Sequence, residues 1–342
     1  MVEVIGTLEI AVKDFVYLQG DFAVRSSTQT IVLNDEDGTE VDVDALNIGA
    51  NGVDLFAGVN RGEANEIGLN LTDGALALAL FSERAVSERK WTALQAGIGS
   101  VELVGVDDVT VSGTNLAAEA NLAADDGTVV DFAAMAGFGN TYTVSTGPDT
   151  SVDFNLDGDE NELIQVTGTL EIAVKGYAYI QGDFAVRSAT TTVTLNDDDA
   201  TEVEVDALNI GATGVDLFAG VNRGESNEIG VSLTDGALAL ALLSERAGSG
   251  RKWSAFQASL ASVELVGVDE VSISGTNLAA EANLAADDGT VVDFAAMAEA
   301  GSTYTILTGP DTSVDMGIDG EEGELVQVTG TLEIAVKDFL YL

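Results

Sequence analysis

The chain of 342 residues contains no cysteine and no histidine. Without thiols there is no disulfide, no cysteine nucleophile and no thiolate zinc site, and without imidazole there is no histidine base or ligand. Proline is nearly absent: Pro148 and Pro310 stand in two copies of one phrase, TGPDT, where proline presets φ for a turn. Basic side chains are scarce, with 13 Lys and Arg against 58 Asp and Glu, a formal charge of −45. Such a surface repels nucleic acid and anionic membranes, so neither is expected as a partner. Long apolar runs are missing as well. ALALALF, Ala75 to Phe81, is far shorter than the roughly 20 residues of a spanning helix, and no membrane insertion is expected. The opening MVEVIGTLEIAV has no basic leader before an apolar core, so no signal peptide is expected in it and the chain reads as an excerpt from something longer.

What is present is repetition. GTLEIAV starts at Gly6, Gly168 and Gly330, 162 residues apart each time. The chain is two full repeats and the first 13 residues of a third, and such a period takes precedence over any fold assignment. SGTNLAAEANLAADDGTVVDFAAMA recurs unchanged from Ser112 and from Ser274, and the copies align without insertion or deletion. Differences gather after Asn34, in AVSERK and in GFGNTYTVS, where exposed loops are expected. The basic residues are in register, from Lys13 and Lys175 to Lys90 and Lys252, and local charge balance among carboxylates is their expected role. The boundaries that follow are 1–167 for the first repeat with its leading residues, 168–329 for the second, and 330–342 for the start of a third. No Pro- or Ser-rich spacer separates them, so 330–342 is expected to pack on the second repeat, because a lone strand leaves its backbone unpaired.

The side-chain pattern has period two. Leu8, Ile10 and Val12 alternate with polar or small residues, as do Val41 with Val43, Val101 with Leu103, and Val109 with Val111. That alternation predicts strands with one apolar face, and runs such as NDEDG, TDG and DDGT supply the turns. Ala75 to Phe81 has helix-forming composition, yet Leu76, Leu78 and Leu80 alternate strictly, so a strand buried on both faces is predicted there. A short helix is allowed in VVDFAAMA. The fold class is all-β: an elongated β-solenoid or continuous stacked β-sheet array, with tandem β-sandwiches as the alternative.

The strongest candidate site is DFNLDGDENE. Asp153, Asn155, Asp157, Asp159 and Glu162 offer hard oxygen ligands around Gly158, like the start of a D-x-N-x-D-G calcium loop. Ile164 stands where such a loop places its twelfth-position acid. The second copy keeps Asp315, Asp319, Glu321 and Glu324 but has Gly317 in place of Asn155. Calcium is the ion this oxygen set would take; the alternative is an acidic, solvated turn. Trp91 and Trp253 sit beside Arg and Lys. Exposed, each would stack on a sugar; buried, each would anchor a loop. No carboxylate pair stands out for acid–base work, every candidate occurs twice, and catalysis is not expected.

GTLEIAVKDFVYLQGDFAV, ALNIGANGVDLFAGVN, LTDGALALAL and VELVGVDDVTVSGTNL resemble repeats of giant tandem-repeat bacterial surface or secreted proteins, the acidic, cysteine-poor, type I-secreted adhesin-like group. The resemblance spans both repeats. It implies an extracellular or cell-surface location, elongated shape, adhesion or matrix formation, and calcium dependence. The G-G-x-G-x-D nonapeptide of such exported proteins is absent. The function expected is an extracellular structural repeat in a filament, stalk or adhesin. Its partners would be other copies or neighbouring repeats, and surface glycans in the alternative reading as an adhesive module.

Overall fold

The structure, a computed structural model, describes residues 1–84, 88–248, 250–337 and 340–341. Part of the AVSERK loop (85–87) and residues 249, 338, 339 and 342 lie outside the described residues. The chain divides into two compact units, residues 1–106 with 113–166, and residues 107–112 with 167–342.

The first unit is an antiparallel meander with a small lobe on one face. Its sheet runs in chain order through β1 (Val2–Val12), β2 (Val16–Val32), β3 (Glu40–Val59), β4 (Ile67–Glu83), β5 (Lys90–Val104) and β6 (Val109–Leu122). The lobe follows as α1 (Phe132–Gly137) and the hairpin β7 (Tyr142–Ser145) and β8 (Ser151–Phe154). The chain then enters β9 (Leu163–Val174). The second unit repeats the plan with β10 (Ala178–Thr194), β11 (Glu202–Val221), β12 (Ile229–Glu245), β13 (Lys252–Val266) and β14 (Val271–Leu284). Its lobe holds α2 (Phe294–Glu299), β15 (Thr305–Leu307) and β16 (Ser313–Asp315), and β17 (Leu325–Val336) and β18 (Leu340–Tyr341) complete the described strands. Gly330 lies inside β17, which pairs antiparallel with β14 from Leu325 to Val336, so the described start of the third copy of GTLEIAV belongs to the second unit's sheet. The all-β class and the stacked-sheet arrangement expected from the sequence are what the chain adopts, laid down as successive hairpins.

Burial explains the lobe. In the first unit Val41, Val43 and Ala45 point to one face and pack with Phe81, Trp91, Phe132, Tyr142 and Val144. Phe81, Phe132 and Tyr142 meet edge-on or tilted, with centroids 5.3 Å apart for Phe81–Tyr142 and 5.5 Å for Phe132–Tyr142. Gly49 permits the approach: a Cβ there would stand 2.1 Å from the Ser145 carbonyl oxygen. The short helix in VVDFAAMA forms, capped by Asp131, whose Oδ1 accepts from the Ala134 amide at 2.8 Å.

The ALALALF strand departs from the expectation of burial on both faces. Ala77 and Ala79 are 0% exposed beneath the lobe, whereas Leu80 on the other face is 36% exposed. Alanine fills the thin space under a close-packed lobe, and the leucines project to a side that the lobe does not cover.

That second face is apolar from Leu46 to Val59 of β3, and bulges keep it so. In β3 the apolar set is Leu46, Ile48 and Ala50, then switches parity to Val53, Leu55 and Val59, with register shifts between Ala50 and Leu55. In β4 it switches from Leu69 and Leu71 to Leu76, Leu78 and Leu80. Gly52 in β3 and Asp73 in β4 take positive φ at these switches, as an inserted residue in a strand requires. The regular β1–β2 register places Leu18, Phe22 and Val24 on one side, and Leu18 pairs with Leu55 while Val24 pairs with Ile48. Both halves of the strands therefore present their apolar side chains to the same face.

Candidate functional site

The lobe gathers acids at one corner. Asp157 starts a 3-10 turn, Gly158–Glu160, with its Oδ1 accepting from the Asp159 amide at 3.0 Å. Asp131 caps α1 directly opposite, because Gly158 lacks a side chain: a Cβ there would lie 2.6 Å from Asp131 Cβ. Asn34 ties the corner together. Its Nδ2 donates to the Gly158 carbonyl at 3.1 Å and to Asn161 Oδ1 at 3.2 Å, and its Oδ1 accepts from the Val129 amide at 2.9 Å. The result is one carboxylate oxygen each from Asp131, Asp157 and Asp159 within 4.8 Å of one another. Asp131 is half-buried and the other two are exposed.

Of the sequence-predicted ligands, Asp157 and Asp159 come together here. Asp153 and Glu162 are not in the group. Asp153 Oδ1 accepts from the Thr143 hydroxyl across the β7–β8 hairpin at 2.6 Å, and Asn155 Oδ1 accepts from Gln95 Nε2 at 2.6 Å. Glu162 is exposed just before β9. The segment is thus strand, 3-10 turn and strand, which spreads its oxygens instead of wrapping them. Asp131 joins from 26 positions before Asp157, and its only local sequence signal was that of a helix cap. In the second unit Asp319 Oδ1 accepts from the Glu321 amide at 2.9 Å, Asp315 accepts from Thr305 at 2.7 Å, and Glu324 is exposed. Glu321 replaces Asp159 there, and among the described residues no second three-acid group meets the same spacing.

Several arginines are held by acids and aromatic rings. Arg89 Nε lies 2.9 Å from Glu83 Oε2 and Nη1 lies 3.0 Å from Asp126 Oδ2, with the guanidinium 5.1 Å from the Trp91 ring centre. The Glu83 hydrogen bond raises the Arg89 pKa. Burial pushes the Asp126 carboxyl up, but hydrogen bonds from Thr128 and Arg89 outweigh it and hold the pKa below the ordinary value. Trp91 is 2% exposed and donates from Nε1 to the Thr128 carbonyl at 3.0 Å, so it anchors the turn and has no free face for a sugar. Arg61 and Arg223 instead stack 3.5 Å over the Tyr17 and Tyr179 rings. Arg223, Tyr179, Phe218 and Glu228 line an open groove on the sheet.

No protein family, curated protein or solved structure matches the chain. Its class therefore rests on the fold itself: a repetitive, antiparallel, all-β protein with one lobe per repeat.

Proposed function

We propose that this chain is a structural segment of a long repetitive protein on a bacterial surface or outside the cell, and that it is not an enzyme. The observation that supports this best is that each repeat folds to the same plan, an antiparallel meander with a lobe closed over its own buried core. Units that repeat one such core suit a chain lengthened by adding repeats. The repeated buried cores, the charge-balancing arginines and the lack of histidine and cysteine agree with a mechanical role. No described helix is long and apolar enough to cross a membrane.

Calcium at the corner of Asp131, Asp157 and Asp159 completes this reading. Three carboxylates so close repel one another, and a divalent cation converts that repulsion into a brace between α1 and the 3-10 turn. Melting should rise in millimolar calcium relative to chelator at constant ionic strength, by mass action on the native state. Asp157→Asn keeps the cap and removes a charge, so it should abolish the calcium response. A melting curve indifferent to calcium would remove the ion from the proposal.

The same reading predicts copies joining head to tail. β1, β9 and β17 all carry GTLEIAV, so one molecule's β1 has the side chains to replace another's β17 beside β14. Deleting residues 330–342 should destabilise the second unit and change end-to-end association. Identical melting and association in the truncated chain would refute it.

A further inference from the structure

Within neither unit does any described element pack on the second face of the sheet. Leu46, Leu69 and Leu80 remain 36–44% exposed there, and Leu208, Val231 and Leu242 of the second unit 37–39%. The parity switches keep apolar side chains on this face, although water gives an exposed apolar side chain no reward there. We propose that this face is the contact between two copies of the chain, stacked sheet on sheet roughly 10 Å apart.

Size argues for a copy as the occupant. From β1 to β6 the face is about 24 Å wide at roughly 4.8 Å per strand, and Leu46 to Val59 gives it a length of about 43 Å at roughly 3.3 Å per residue. The product is on the order of 1,000 Å², beyond the roughly 400 Å² patch a soluble monomer tolerates and near the roughly 800 Å² per partner of a standard interface. A self-complementary patch also satisfies two-fold pairing, since each copy offers what the other needs.

Charge argues the same way. The charged side chains Asp42, Asp44, Arg84 and Lys90 stand at one end of this face in the first unit, and the rows from Leu46 to Ala50 carry none. Two copies of a chain at −45 can approach closely only through a surface free of carboxylates. A bilayer is the poorer fit. Its apolar band for strands is about 25 Å tall, well short of this face, and membrane strands carry aromatic girdles that this face lacks. The contact uses the broad face and not the strand ends, so it stands whether or not the head-to-tail joining does.

Sedimentation of the full chain at micromolar concentration should give twice the monomer mass, and the association should tighten as sodium chloride is raised, because only repulsion is screened. Leu78→Lys together with Leu240→Lys places charge at the centre of the face in each unit and should yield monomers with unchanged far-ultraviolet circular dichroism. Should that variant fail to fold, cross-linking decides. The chain has no cysteine, so Ser26→Cys on this face should be captured as dimer by a short bis-maleimide, and Asn140→Cys on the lobe should not. A monomeric wild type, dimers that survive both lysines, or equal cross-linking from both cysteines overturns the proposal. Flotation of monomeric wild type with phosphatidylcholine vesicles overturns it too and assigns the face to lipid.

Discussion

At the scale of single residues, Tyr142 and Asn47 show how closely the lobe is tied to the sheet. The Tyr142 hydroxyl donates to Asn47 Oδ1 at 2.8 Å in the buried interior, and Asn47 Nδ2 has no partner. Tyr142→Phe would leave Asn47 with both polar atoms unsatisfied and should cost about 1–3 kcal/mol in denaturant unfolding. Burial pushes the Tyr142 pKa up to about 12, and that of Tyr304 likewise. Folding holds both phenols neutral, so their contribution is complete below the unfolded value of roughly 10 and lost as pH rises toward 12. Stability should therefore fall across that alkaline window, and less steeply in Tyr142→Phe than in wild type. An equal slope would mean the phenol is not shielded. The acid side has the opposite sign. Asp126 and Asp288 have lowered pKa values, so the stability they add is present above the unfolded carboxylate value and fades as pH drops through the folded one.

At the scale of elements, β4 carries two faces made of similar letters and different physics. Ala79 is sealed under the lobe, so Ala79→Leu should overpack the core and destabilise by about 1–3 kcal/mol. Leu78→Ala on the uncovered face should cost the folded monomer well under the 2–5 kcal/mol of a core truncation. Comparable losses at the two positions would contradict the assignment of faces. Gly49→Ala meets the Ser145 backbone, not a flexible side chain, and should detach β7 from the sheet, with faster hydrogen exchange of the lobe amides as the readout. Strands, turns and the short helix were readable because period two and turn residues are local signals. The covered face was not. Val41 and Val43 alternate with acids, which marks their side as inner, but Leu76, Leu78 and Leu80 alternate with alanine, and hydrophobicity alone favours the wrong side. Only the packing of a lobe that begins some fifty residues further along the chain decides it. The acidic corner was half readable for the same reason: Asp157 and Asp159 are neighbours in sequence, and Asp131 reaches them through the fold.

At the scale of the whole molecule, net charge is the dominant unbalanced quantity. Arg84, Arg89, Arg246 and Arg251 form ion pairs, and those of Arg84 and Arg246 are exposed and worth little. With 13 basic side chains against 58 acids, most carboxylates have no cation of the chain to balance them. Repulsion among them opposes the compact state and weakens as the screening length shrinks from about 10 Å at 0.1 M salt to about 3 Å at 1 M. The melting temperature should climb with sodium chloride, most steeply at the low end, and chelator should leave that slope in place, because screening needs no specific site. Measuring the slope for Leu78→Lys with Leu240→Lys separates this effect from dimer formation: a monomer that is still stabilised by salt shows repulsion within the fold. A flat profile in that variant would mean that the carboxylates are already neutralised by bound cations, and a chelator should then lower its melting point.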